Sequence, residues 1–288
     1  MINVEFRVSD GVVSMRRFLL AAMMFGAVTG ARAADLSDIP ILRGSYTDGL
    51  SSPPANWQGV YIGGQGGYGT SNMNFSGSSS TVAAHLLSGL EMEQEQQVSQ
   101  WPLMGKVSVH GQGFGGFAGY NAQWQDVVLG VELNYLHGKF GGSTTDSMSR
   151  FFTLSSGYTD SVTYQATSQI AISDMGTLRA RAGYAWGAFL PYAFGGVALG
   201  QANIIRSAHI FGTQVNAAAA PGFQNVPFDL SASDSMNSHL IYGYSFGLGV
   251  DVQLISCLFL RAEWEYVRFT SVVDTSVNTG RIGLGYKF

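Results

Sequence analysis

Charge is scarce in this chain. Only 12% of its 288 residues are Asp, Glu, Lys or Arg, about half the share in an ordinary soluble domain, so a fully water-facing surface is excluded. Long apolar runs are missing too. No stretch reaches 18 residues, which removes a helical membrane span. The single cysteine, Cys257, cannot close an internal disulfide and reads as a small apolar residue near a turn. Basic residues number 15 against 19 acidic ones, and a nucleic-acid surface, which needs basic patches, finds no support. The five histidines, His85, His110, His137, His209 and His239, have no close metal-ligand spacing, so no metal site is expected. Serines and histidines abound, yet no spacing marks a nucleophile with an organised base. No catalytic residue is expected, and the chain does not read as an enzyme.

What remains is glycine and alternation. Glycine reaches 38 residues, well above the usual share of about 7%. The chain stops on GRIGLGYKF (280–288), where Ile282, Leu284, Tyr286 and Phe288 share one parity and Arg281, Gly283, Gly285 and Lys287 the other. A terminus frays unless it is tied down, so this final stretch is expected to be a paired strand with one buried face.

The N-terminus carries an export pattern. Arg16-Arg17 precede the apolar FLLAAMMFGAVT (18–29), and Ala31-Arg32-Ala33 offers a small-residue cleavage site. Residues 1–14 are unlike a signal, which points to Met15 as the true start. Cleavage after Ala33 removes four arginines and two acids, taking the formal net charge from −4 to about −6. Residues 34–56 lack periodicity, contain Pro53-Pro54, and read as a periplasmic tether ahead of a barrel over 57–288.

Eight strand candidates follow: 59–69, 114–124, 126–138, 177–187, 191–202, 240–252, 258–269 and 279–288. The gaps alternate between long and short. About forty residues separate the first pair, 139–176 and 203–239 are long, and 270–278 is modest, whereas 188–190 and 253–257 are short. In an up-and-down arrangement all short turns fall at one end and all long connections at the other. That asymmetry predicts an all-β fold, an eight-stranded antiparallel transmembrane barrel with long extracellular loops and both termini periplasmic.

Parity decides which face meets lipid. Val127, Leu129, Val131, Leu133 and Tyr135 oppose Gly130, Glu132 and Asn134. Leu178, Ala180, Ala182, Tyr184 and Trp186 oppose Arg179, Arg181 and Gly183. Eight strands leave an interior just wide enough for side chains. Trp264, Tyr266, Tyr242 and Tyr244 would overfill it, so the apolar face is expected outside. Aromatics sort to the strand ends, with Trp57, Trp124, Trp186, Tyr192 and Phe288 at the short-turn rim and Tyr68, Phe114, Tyr135, Tyr242 and Phe269 at the other. Such girdles belong at headgroup level.

On these residues the chain resembles the alphaproteobacterial outer-membrane proteins of about 25–31 kDa found in rhizobia, Brucella and Bartonella. NWQGVYIGGQGGYG (56–69) is similar to their first strand and GRIGLGYKF to their last, and the architecture matches over 34–288. The ending also resembles the signal read by the barrel-assembly machinery, through Gly283, Tyr286 and Phe288, with Ile282 where that signal has a polar residue. The resemblance implies a Gram-negative outer-membrane barrel tied to envelope integrity, with outer-membrane lipid and lipopolysaccharide as neighbours. Some relatives bind haem, which would make the loop histidines candidate ligands; otherwise no cofactor is expected.

Several constellations are weighed against plainer readings. GQGFGG (111–116) matches the dinucleotide pattern, but it leads into an alternating strand and not a helix. Glu91, Glu93 and Glu95 read as a solvated acidic face. Glu132, Asp251, Glu263 and Glu265 are expected to meet Arg179, Arg181, Arg261, Arg281 and Lys287 in the lumen, because Arg or Lys at the lipid midplane costs about 2–4 kcal/mol. The network reads as a plug or as a narrow porin-like ion path, and the small bore favours the plug. The expected function is structural, in envelope integrity and surface contact through the loops, with haem binding or small-solute passage as alternatives.

Overall fold

The computed structural model describes residues 56–288; the signal and all but the last residue of the tether lie outside the described residues. Alternating residues form strands, and in lipid a closed ring leaves no backbone group unpaired. The strands are β1 (Gly59–Asn74), β2 (Lys106–Trp124), β3 (Val127–Thr153), β4 (Thr159–Tyr184), β5 (Phe189–Val215), β6 (Asn225–Ile255), β7 (Leu258–Thr270) and β8 (Asp274–Lys287). Each pairs antiparallel with the next, and β8 closes on β1. The β1–β2 connection folds into two short helices, α1 (Ser80–Leu86) and α2 (Glu91–Gln96), and a 3-10 turn (Val98–Gln100).

The apolar rows face outward as expected. Val131, Leu178, Tyr242 and Ile282 are each more than half exposed, while Glu132, Arg179 and Arg281 are buried. Three expected girdle residues turn inward instead. Trp57, Tyr192 and Phe269 are buried: Tyr192 and Phe269 fall on the lumen parity of β5 and β7, and Trp57, just ahead of β1, packs against Phe259. Room for inward rings comes from glycines opposite them. A Cβ on Gly63 would lie 2.3 Å from Cζ of Phe117, and one on Gly249 would lie 2.5 Å from Cζ of Tyr192.

The largest departure concerns the outer connections. Residues 139–176 and 203–239 are not long loops; most of both segments continues β3 to β6 beyond the membrane. The true turns span 154–158 and 216–224. β4 shows how one sequence pattern serves both environments. Val162, Tyr164, Ala166, Ile170 and Ile172 are buried inside, yet Leu178 and Tyr184, also even-numbered, face lipid. Ser173 is bulged out of the ladder between Ile172 and Asp174, and one extra residue exchanges the two faces. β6 does the same. Its inward row ends near Met236, the register slips against Ala202–Ile204, Ser238 takes a left-handed φ of 53°, and Leu240 and Tyr242 face out. With the slip between His137 and Phe140 on β3, these irregularities run across the sheet where lipid gives way to water.

Above that line, the β1–β2 connection packs as a cap on the inner surface of the tall β3–β6 wall. Phe75, Ala83, Leu87 and Val98 are fully buried in one cluster with Tyr164, Ile170, Ile204 and Ile210. Each large apolar side chain so buried contributes about 1.5–3 kcal/mol. Polar contacts set the orientation: Ser78 Oγ to Ser168 Oγ at 2.8 Å, Ser79 Oγ to Tyr164 OH at 3.1 Å, and Arg206 donating to the Ser78 carbonyl at 3.1 Å while pairing with Asp234.

Candidate functional site

Inward parity places one charged row at mid-barrel. Glu132 stands on β3, Arg179 and Arg181 on β4, Asp251 on β6, Arg261, Glu263 and Glu265 on β7, and Arg281 on β8. All eight are buried. Four guanidinium groups face four carboxylates, so the set is formally neutral.

Glu132 is the hub. Its Oε2 accepts from Tyr61 OH at 2.7 Å, Arg261 Nη1 at 2.8 Å and Arg181 Nη1 at 3.3 Å, and its Oε1 accepts from Arg179 Nε at 3.0 Å. Asp251 takes a two-pronged contact from Arg261, Nε to Oδ1 at 2.9 Å and Nη2 to Oδ2 at 3.0 Å, plus Arg181 Nη2 at 2.7 Å. Arg179 Nη2 donates to both oxygens of Glu263, at 2.7 and 2.8 Å, and Tyr192 OH donates to Glu263 and Asp251. Glu265 pairs with Arg281, which also donates to Asn134 Oδ1 at 2.9 Å. Buried charge is tolerable when it is paired in this way, and hydrogen bonds strengthen the pairs of Glu132, Asp251 and Glu263, while Glu265 is held by ion pairing alone.

Rings complete the packing. Guanidinium carbons lie 4.0 Å from the Phe194 centroid for Arg179, 3.7 Å from Tyr192 for Arg181, and 3.8 Å from Phe117 for Arg261. Below the charges, Trp57, Tyr61, Phe117, Leu190 and Phe259 form a second apolar cluster. The lumen is therefore filled at three levels: apolar cap, charge network and aromatic floor.

Of the residues assigned to the network from sequence, Lys287 stands outside it. Its Nζ meets the Asn56 carbonyl at the periplasmic rim, since it lies at the last position of β8. Tyr61, Tyr192 and Gln65 belong to the site without being among the expected lumen residues, and Asn134, expected on the inward face, joins them. Their signal was available, for each falls on the lumen parity of its strand. Gly283 faces inward, and Tyr286 and Phe288 face outward with ring centroids 5.0 Å apart.

The other constellations resolve differently. GQGFGG lies wholly within β2, which removes the dinucleotide geometry. The acidic triplet stays solvent-accessible, with Glu95 exposed and Glu91 and Glu93 half-buried, and it also makes local contacts. Glu93 accepts from the Ser99 amide at 3.0 Å within the cap, and Glu91 and Glu95 hold Ser155 and Ser156 of the β3–β4 turn. The five histidines occupy five different elements. Among the described residues no group of three or more His, Cys, Asp or Glu could hold a metal ion.

An eight-stranded ring with an apolar outside and a charged, filled inside defines an outer-membrane β-barrel. The chain belongs to the outer membrane protein beta-barrel domain family, whose profile matches residues 19–288. It is similar to solved structures at low identity. Against Ail, the attachment invasion locus protein of Yersinia pestis, identity is 13% and the TM-score 0.36, covering 80% of this chain and 99% of that one. Against OprG from Pseudomonas aeruginosa the values are 13% and 0.36, covering 80% and 96%. Neisserial surface protein A gives 12% and 0.29, covering 80% and 97%. In the comparison with curated proteins, nothing matches.

Proposed function

We propose that this protein is a closed, non-enzymatic outer-membrane barrel that contributes to envelope integrity and presents a folded cap for contacts at the cell surface. The observation that carries this reading is the filled lumen. Four arginines and four carboxylates cross-link β3, β4, β6, β7 and β8 at mid-membrane, between an apolar cap and an aromatic floor. A transport route would need a bore that these side chains occupy. The turns at 154–158 and 216–224 are the most distal parts of the tall wall, with Phe151 exposed beside the first and Phe223 exposed within the second, which suits a contact surface.

In this reading, export uses the segment ending at Ala33, and the assembly machinery reads Gly283, Tyr286 and Phe288. The first and last strands support an alphaproteobacterial branch of the family. Planar-bilayer recording of the refolded protein tests the closed lumen. Conductance should stay at background in wild type and in Glu263→Ala. A large ion-selective conductance that Glu263→Ala abolishes would replace the plug with a channel.

A further inference from the structure

We propose that the outward face of β7, β8, β1 and β2, just above the lipid-facing aromatic row, carries a cleft for a phosphorylated saccharide headgroup of an outer-leaflet lipid. The inference rests on the outer-membrane setting and not on the closed lumen. A cleft of about 360 Å³ opens there, lined by Lys106, Arg268, Asn72, Asn74, Ser108 and Ser276 together with Asp274 and Tyr266. That volume lies in the range of small-ligand sites.

Its depth follows from register. Arg268 is the next outward residue above Tyr266 on β7, and Asn72 stands two outward positions above Tyr68 on β1. Arg268 is level with Ser276, Ser276 with Asn72, and Asn72 with Ser108 across four neighbouring strands. The cleft therefore begins where the lipid-facing rings end, at headgroup height.

The donors are unusually one-sided. Ser108 Oγ donates to Asn72 Oδ1 at 2.6 Å, and the Ser76 amide donates to Asn74 Oδ1 at 3.2 Å. Each asparagine thus has its acceptor engaged and its two amide hydrogens free to donate. Lys106 and Arg268 stand at the two sides, on strands three spacings apart and offset by two residues along them, about 16 Å along the sheet. Asp274 is the one carboxylate in the lining, and it meets Arg268 at 3.6 Å with both side chains about half exposed. An exposed pair this loose is weak and readily exchanged for a stronger anion.

Few basic residues are left over for this surface. Most of those in the described chain are committed to the lumen, to the cap contacts or to the periplasmic rim. Lys106, Lys139 and Arg268 remain on the outward surface of the extracellular side, and two of those three line this cleft. Two separated cations with amide donors between them suit a head bearing more than one phosphate on a sugar frame.

The test places the refolded full chain in nanodiscs and titrates diphosphorylated lipid A, its dephosphorylated form and inorganic phosphate, read by native mass spectrometry. Wild type should prefer the diphosphorylated lipid at least tenfold. Lys106→Gln with Arg268→Gln should lose at least tenfold, while Lys139→Gln, outside the cleft, should stay within twofold. Asn72→Ala with Asn74→Ala keeps every charge and should weaken binding several-fold; it decides the matter if the charge variant fails to show a heat-modifiable band. Displacement by millimolar inorganic phosphate would identify phosphate itself as sufficient; no displacement would assign recognition to the lipid-borne head. Unchanged binding in both double variants, or an equal loss in Lys139→Gln, would overturn the site.

Discussion

Replacing Arg261 by methionine is the sharpest probe of the lumen. The stem is kept in volume while the guanidinium is lost from a site with no solvent exposure. Three charge-assisted hydrogen bonds disappear, at 2.9 and 3.0 Å to Asp251 and 2.8 Å to Glu132, along with the contact on Phe117. Removing one partner of a buried pair costs about 3–5 kcal/mol, chiefly because the other charge is stranded. Here Asp251 keeps Arg181 and Tyr192, and Glu132 keeps Arg179, Arg181 and Tyr61, so a loss near 3 kcal/mol is expected, by the same reasoning about stranded charge. Asp251→Asn alone should cost a similar amount by leaving an excess cation. The double variant restores neutrality and should cost less than the sum by about 1–3 kcal/mol. Equilibrium urea unfolding in vesicles, followed by tryptophan fluorescence and gel mobility before and after boiling, measures all four corners of the cycle. Costs that add to within about 0.5 kcal/mol would show that the two residues are not coupled, and the network argument would fail.

Three further outcomes follow from the fold. Protease added to intact cells should cut in the turns 154–158 and 216–224 and spare 160–172 and 203–214, where both neighbours pair; ready cleavage inside those ladders would mean that the tall wall is absent. Deleting Phe288 removes one outward rim ring, worth about 1.5–3 kcal/mol at most, so refolding in detergent should persist while outer-membrane abundance falls, and normal surface abundance would exclude a role in assembly. Asp160 lies in the extracellular wall, where burial lifts its carboxyl above the ordinary value, the Gln214 hydrogen bond opposing and the nearby Glu91 charge reinforcing. A carboxyl raised in the folded state favours folding when protonated, and that contribution is lost as pH rises through the folded value. Asp160→Asn should therefore stabilise the protein at pH 7, with the gain shrinking as the pH falls through the folded value; a gain that is constant with pH would rule out titration as its cause.

Much of this architecture is written in the order of residues. Alternating parity and the long–short sequence of gaps specify eight antiparallel strands, and scarce charge with inward arginines specifies which face meets lipid. The eight charged members of the network were legible because a charged residue on the lipid face is too costly to occur among the outward rows. What stayed hidden is of a different kind. Val162, Tyr164, Ala166, Ile170 and Ile172 alternate as clearly as Leu178 to Tyr184, yet they are buried under protein while Leu178 and Tyr184 lie in lipid. Alternation reports that one face is apolar and is silent on what covers it. The bulged Ser173 and the slip around Ser238 exchange the faces, and their positions depend on pairing with neighbouring strands. The cap is hidden for the same reason: Phe75, Leu87 and Val98 lie in short segments that lack strong periodicity, and their partners are on β4 and β5, some 70 to 130 residues away. Local pattern determines where strands form and which side is greasy; the closed ring, by bringing distant strands into register, determines whether that side meets lipid, a cap or a counter-charge.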